Sequence, residues 1–140
     1  MTTELLAPAG GQEALVAAVQ SGADAVYMGF GAFNARRSAR NFSDEEFRAA
    51  VSYCHLRGVK VYLTLNTLVT DRELPALAAE ARTASECGVD AILVQDWGVL
   101  ATLQKIIPDV PLHASTQTSV QTLDGIKLLA DLGFCRAVLP

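Results

Sequence analysis

Apolar and polar positions recur along this chain in one grammar. In SGADAVYM, RGVKVYLTL, CGVDAILV and LGFCRAVL a glycine stands a few residues ahead of a short apolar run. A helix-like stretch precedes each glycine. Glycine just past a helix supplies the left-handed cap conformation, and the β-rich run that follows reads as the next strand. The spacing is irregular, so the pattern is a repeated βα unit and not a solenoid. Strands are predicted near residues 5–7, 25–28, 59–65, 91–94, 112–115 and 137–139. Ser43 and Glu46 have the spacing of a capping box, with Phe42 and Phe47 as a hydrophobic staple. Thr70 and Glu73 repeat it with Val69 and Leu74, although Pro75 pushes that helix to begin later. A fourth helix is predicted from Trp97 to Ile107, stopped by Pro108, and a fifth from Thr122 to Gly133. Six strands alternating with five helices argue for a parallel sheet.

Strand three separates a barrel from an open sheet. Val59, Val61, Leu63 and Leu65 share one face; Lys60, Tyr62, Thr64 and Asn66 share the other. A central strand of a doubly wound sheet is covered on both faces and tends to be apolar throughout. Strand five repeats the asymmetry, with Leu112 and Ala114 opposed to His113 and Ser115. A barrel accounts for both: apolar faces meet the helices and polar faces line the lumen. The expected fold is therefore α/β, a partial eight-fold TIM-type barrel. An entire barrel takes about 250 residues, and this chain has 140. The expectation is the N-terminal part of one longer barrel domain, inactive alone, whose unpaired edges promote self-association.

Composition narrows the function. The net charge of −4 gives no reason to expect general binding to nucleic acid or to membrane surfaces. No apolar run is long enough to span a bilayer, and MTTELLAPAGG lacks the shape of a secretion signal. Cys54, Cys87 and Cys135 form no CxxC motif and read as buried reduced thiols of a cytoplasmic protein.

Active sites of parallel α/β barrels lie at the C-terminal ends of the strands. There the chain places Asn66 and Thr67 after strand three, Gln95 and Asp96 after strand four, and Ser115, Thr116 and Gln117 after strand five. Asp96 is also well placed as a helix N-cap. Tyr27, on strand two, joins this substrate-binding set. Arg36, Arg37 and Arg40, in the long loop GFGAFNARRSARNF, suit a carboxylate, a phosphate or an RNA backbone. His113, Ser115 and Asn66 are the candidates for catalysis. A Ser–His dyad meets a geometric obstacle: residues two apart on a strand lie roughly 6–7 Å apart, and a base must come within about 3 Å of its nucleophile. His113 bonded to Tyr62 or Thr64 in the lumen, or orienting substrate, is the competing reading. His55 beside Arg57 suits a helix end. There is no HExxH, no metal site is expected, and Asp96 is the lone acid at a strand mouth. APAGG and GFGAF lack the spacing of dinucleotide or P-loop motifs.

The segments ELLAPAG, GADAVYMG, ARNFS, GVKVYLTLNTLV, GVDAILVQDWGVL and HASTQ, in this order, resemble the N-terminal region of peptidase family U32, the collagenase-like proteases. The resemblance covers nearly the whole chain. It implies a barrel-like domain followed by further chain that carries a cysteine-rich signature, and a proteolytic mechanism not yet assigned. It also implies, through some relatives, hydroxylation of an RNA base or of a quinone precursor, with iron–sulfur clusters held by downstream cysteines. The chain departs from the family pattern at FNARRSARNFS and at Pro140. The first reading is a U32-type peptidase acting on peptide. The second is an RNA-base hydroxylase, and the third a non-catalytic binding module.

Overall fold

The computed structural model describes residues 3–35 and 42–140. The described residues form six strands, β1 (Leu6–Pro8), β2 (Ala25–Met28), β3 (Lys60–Leu65), β4 (Ala91–Val94), β5 (Leu112–Ala114) and β6 (Arg136–Ala137). Between them run α1 (Gln12–Gln20), α2 (Asp44–His55), α3 (Leu74–Glu86), α4 (Trp97–Ile106) and α5 (Leu123–Asp131). The strands pair in chain order, every pair parallel. Gly22, Gly58, Gly88 and Gly133 stand in the turns after helices with φ of 91, 71, 80 and 98°. These are the left-handed positions that the repeated glycines predicted.

The sheet curls. Neighbouring strands lie about 4.8 Å apart, so β1 and β6 of a flat sheet would be separated by about 24 Å. Instead Arg136 Nη1, on β6, stands 2.6 Å from Glu4 Oε1, just ahead of β1. The result is a half-barrel. Its convex face packs on the helices through Val59, Val61, Leu63 and Leu65 together with Leu15, Phe47, Leu77, Val99 and Leu103. Its concave face carries a smaller cluster of Ala25, Tyr62, Ala91 and Leu93, with Leu6, Tyr27 and Val138 packed against it. The two-residue alternation of β3 thus divides the faces as expected.

One of the two predicted capping boxes forms. Ser43 caps α2 in the predicted box: its hydroxyl accepts from Glu46 N, and Glu46 Oε2 accepts from Ser43 N at 2.8 Å. The second box does not form. Glu73 Oε2 accepts from both the amide and the hydroxyl of Thr70, each at 2.8 Å, and α3 begins at Leu74 with Pro75 in its first turn. Thr70 donates its hydroxyl there instead of accepting from the helix. At the other end of the chain, β6 starts at Arg136, one residue before its predicted position, and ends at Ala137.

Candidate functional site

Asn66 leaves β3 at its C-terminal end and joins three segments. Its Oδ1 accepts from Ala35 N at 3.1 Å, in the loop after β2. Its Nδ2 donates to Ser115 Oγ at 3.1 Å, just past β5. Ser115 is 1% exposed, and its Oγ also accepts from Gln117 N at 3.3 Å, which starts the 3-10 turn Thr116–Thr118. These residues wall a cavity of about 350 Å³, within the size range of small-molecule sites. Tyr27, Thr64, Thr116 and Gln117 also line it, with Leu6, Leu93 and Val138 as apolar wall. Among the described lining residues Tyr27 carries the one titratable side chain; the other polar groups are hydroxyls, carboxamides and backbone.

His113 lies elsewhere. It is 5% exposed and does not line this cavity. Its ring meets Tyr62 edge-on, with centroids 4.9 Å apart, and its Nδ1 has no hydrogen-bond partner. The predicted bond to Tyr62 or Thr64 is therefore absent, because the Tyr62 hydroxyl is engaged below. Tyr62 Oη donates to Glu4 at 2.8 Å, while Lys60 Nζ and Arg136 close on the same carboxylate at 3.2 and 2.6 Å. This network forms the barrel floor. The Arg136 guanidinium beside Glu4 holds its carboxyl down to about 2, and burial with the Glu4 carboxylate pushes the Tyr62 phenol up to about 12. Burial, with Arg136 adding to it, lowers the His113 imidazole to about 4, so it is neutral at pH 7.

The remaining candidates divide. Gln95 lines a second cavity with Asp96, separate from the one that Asn66 enters; Gln117 lines both. The residues after strands three and four, Asn66 and Gln95, therefore do not share one chamber. Asp96 is an N-cap: its Oδ1 accepts from Gly98 N and Val99 N at 2.7 and 3.0 Å. Thr67 lies outside both cavities, with Oγ1 buried and unpartnered. Arg36, Arg37 and Arg40 lie outside the described residues. His55 pairs with Asp90 at 2.9 Å, a tie between α2 and the turn before β4 that goes beyond the predicted helix-end role. Thr64, expected on the lumen face but not named for the site, and Asn34 also line the cavity. The alternation of β3 could have found Thr64, whereas Asn34 sits in a loop without periodicity.

The cysteines are not uniformly buried. Cys54 is enclosed in the helix-side core, Cys87 is partly buried, and Cys135 is exposed at the start of the last strand. Burial pushes the Cys54 thiol up to about 11, which makes it a poor thiolate. No group of three His, Cys, Asp or Glu gathers among the described residues. They do not supply the ligands of an iron–sulfur cluster.

A parallel half-barrel with a cavity at the C-terminal ends of its strands defines a TIM-type α/β protein. Within that class the chain belongs to peptidase family U32, whose model matches residues 10–140. It is similar to the 23S rRNA 5-hydroxycytidine synthase of Escherichia coli (strain K12), 41% identical over 138 residues, 97% of this chain and 20% of that protein. It is also similar to a collagenase of Porphyromonas gingivalis (strain ATCC BAA-308 / W83), 34% identical over 125 residues, 89% of this chain and 30% of that one. The chain thus spans a fifth to a third of the length of these relatives. The solved structure of a U32 peptidase superposes with a TM-score of 0.75 at 17% identity, covering 99% of this chain and 58% of that one, and shows the shared fold. In the described residues no helix is long and apolar enough to cross a membrane.

Proposed function

We propose that this half-barrel is the base-holding part of an RNA-base hydroxylase. The observation that carries the reading is the chemistry of the Asn66–Ser115 cavity. It offers carboxamide, hydroxyl and backbone groups, an aromatic ring and an apolar wall. Such a set suits a flat neutral heterocycle with its own donors and acceptors. Proteolysis through Ser115 finds no support in the geometry. The serine accepts from Asn66 and Gln117, and the imidazole two residues away is turned onto Tyr62. The similarity to the rRNA hydroxycytidine synthase supports the same direction. In this reading Asn66 holds the loop after β2 and the end of β5 in register, Ser115 and Gln117 present hydrogen-bonding groups to the base edge, and Tyr27 faces its ring. The hydroxylating chemistry belongs to groups outside this chain's described residues. The setting is cytoplasmic, where such RNA is found.

A second reading, peptide hydrolysis, is favoured by the similarity to a collagenase. One experiment separates the two. Cells lacking the gene are supplied with the full-length protein or with its Asn66→Ala variant. Their rRNA and tRNA are digested to nucleosides, and hydroxylated pyrimidines are quantified by mass spectrometry, with gelatin cleavage by the purified proteins run in parallel. The expected result is a hydroxylated nucleoside that requires the protein and falls about tenfold in the variant, the loss of about 1.4 kcal/mol of positioning. Unchanged nucleosides, together with gelatin cleavage that Asn66→Ala abolishes, would overturn the proposal.

A further inference from the structure

Trp97 opens α4 and is 52% exposed, unusual for the chain's single tryptophan. Its ring is braced from one side by Phe134, centroids 6.4 Å apart and planes at 68°. Leu68, 72% exposed, lines with Trp97 a second cavity of about 340 Å³. Gln95 and Gln117 supply carboxamides to that cavity. Asp96 also borders it, but the Asp96 Oδ1 is committed to the helix cap. Gln117 lines this cavity and the Asn66–Ser115 cavity alike, so the two adjoin at that residue.

A braced aromatic face beside amide groups is the chemistry that holds an unstacked base. The surroundings favour a base over a phosphate: the described lining contains an aspartate and no lysine or arginine. They favour a polymer over a lone nucleoside, because the second cavity adjoins one already suited to a base. We propose that Trp97 is a stacking platform for the nucleotide that flanks the base held in the Asn66–Ser115 cavity, so that the protein reads at least two successive unpaired nucleotides. This rests on the RNA reading above. Leu68 adds apolar wall to the same cavity, and Gln95 meets the edge of the stacked base.

The test uses the full-length protein and a single-stranded cytidine trinucleotide, with versions abasic at the 5′ or the 3′ flank. Affinity is measured for the wild type and for Trp97→Ala, Trp97→Phe and Asn66→Ala. The platform predicts that Trp97→Ala weakens the intact trinucleotide about tenfold. Trp97→Phe retains most of the affinity. Removing one flanking base abolishes the difference between wild type and Trp97→Ala, a thermodynamic cycle that isolates the ring–base contact. Asn66→Ala weakens every probe. If Trp97→Ala binds the intact trinucleotide as the wild type does, or if its deficit persists on both abasic probes, the platform is wrong while the Asn66 result still stands for the central cavity. If the wild type binds none of the probes, or Asn66→Ala changes none of them, the RNA reading fails and the platform with it.

Discussion

Arg136 and Glu4, 132 residues apart in sequence, meet at 2.6 Å across the floor of the half-barrel. The pair joins the two outermost strands of the sheet, with Tyr62 and Lys60 on the same carboxylate. Because the folded Glu4 carboxyl is held near 2, below its ordinary 4.5, its contribution to stability is complete above about pH 4.5 and is lost as pH falls towards 2. Glu4→Gln should lower unfolding stability at pH 7 by about 1 kcal/mol, discounted because Arg136 is partly open to solvent. Denaturant unfolding of the two proteins should converge at pH 2.

His113 has the opposite habit. Its folded imidazole is lowered to about 4 from 6.5, so the unfolded chain takes up the proton first. The protein should therefore lose stability as pH falls from 6.5 to 4, by about 2 kcal/mol in all. His113→Phe should flatten that window and leave the drop below pH 4.5 in place. A histidine NMR titration with a midpoint near 6.5 would refute the enclosed neutral ring.

Glu80 lies on α3 against the loop after β2, where its Oε2 accepts from Ala32 N at 3.3 Å. Burial raises its carboxyl to about 7, with the Asp44 charge adding to the effect. The folded state keeps a proton that the unfolded chain releases above 4.5, so stability declines from pH 4.5 to 7 and stays reduced above it. Glu80→Gln should match the wild type at pH 4.5 and exceed it at pH 8 by about 1 kcal/mol, well under full conversion because the group is only partly shielded.

Gly31 lies under the same carboxylate with φ 67°, and a Cβ there would stand 2.3 Å from Glu80 Oε2. Gly31→Ala should destabilise the protein by about 1–2 kcal/mol, combining backbone strain with the clash. The double variant Gly31→Ala with Glu80→Ala should recover the steric part and leave the strain, measurable as a non-additive unfolding midpoint.

The edge strands β1 and β6 each have one neighbour among the described residues. The 140-residue chain on its own is expected to self-associate through those edges. Sedimentation of that chain should show concentration-dependent oligomers, and a stable, monodisperse monomer would refute it.

The sequence made the barrel legible through period. The alternation of β3 and the glycines at 22, 58, 88 and 133 are local signals that survive folding, and they announced both the sheet and its faces. The candidate site was legible only in part. Asn66, Ser115 and Gln117 follow strand ends, and that position alone brings them to the mouth. Gln95 follows a strand end too, yet the path of the chain past β5 puts it beyond Gln117 in the neighbouring cavity. Nothing local encodes that path. The floor was hidden for a like reason: the alternation of β3 put Lys60 on the lumen face, but nothing local marks Glu4 and Arg136 as its neighbours until the curl of the sheet brings both cations to the Glu4 carboxylate. His113 showed the correct face of its strand, but its height above the floor depends on register and tilt together.

One amide side chain cannot turn towards two neighbours at once, and Gln117 borders two chambers. A substitution at Gln117 therefore alters the wall of both chambers at once.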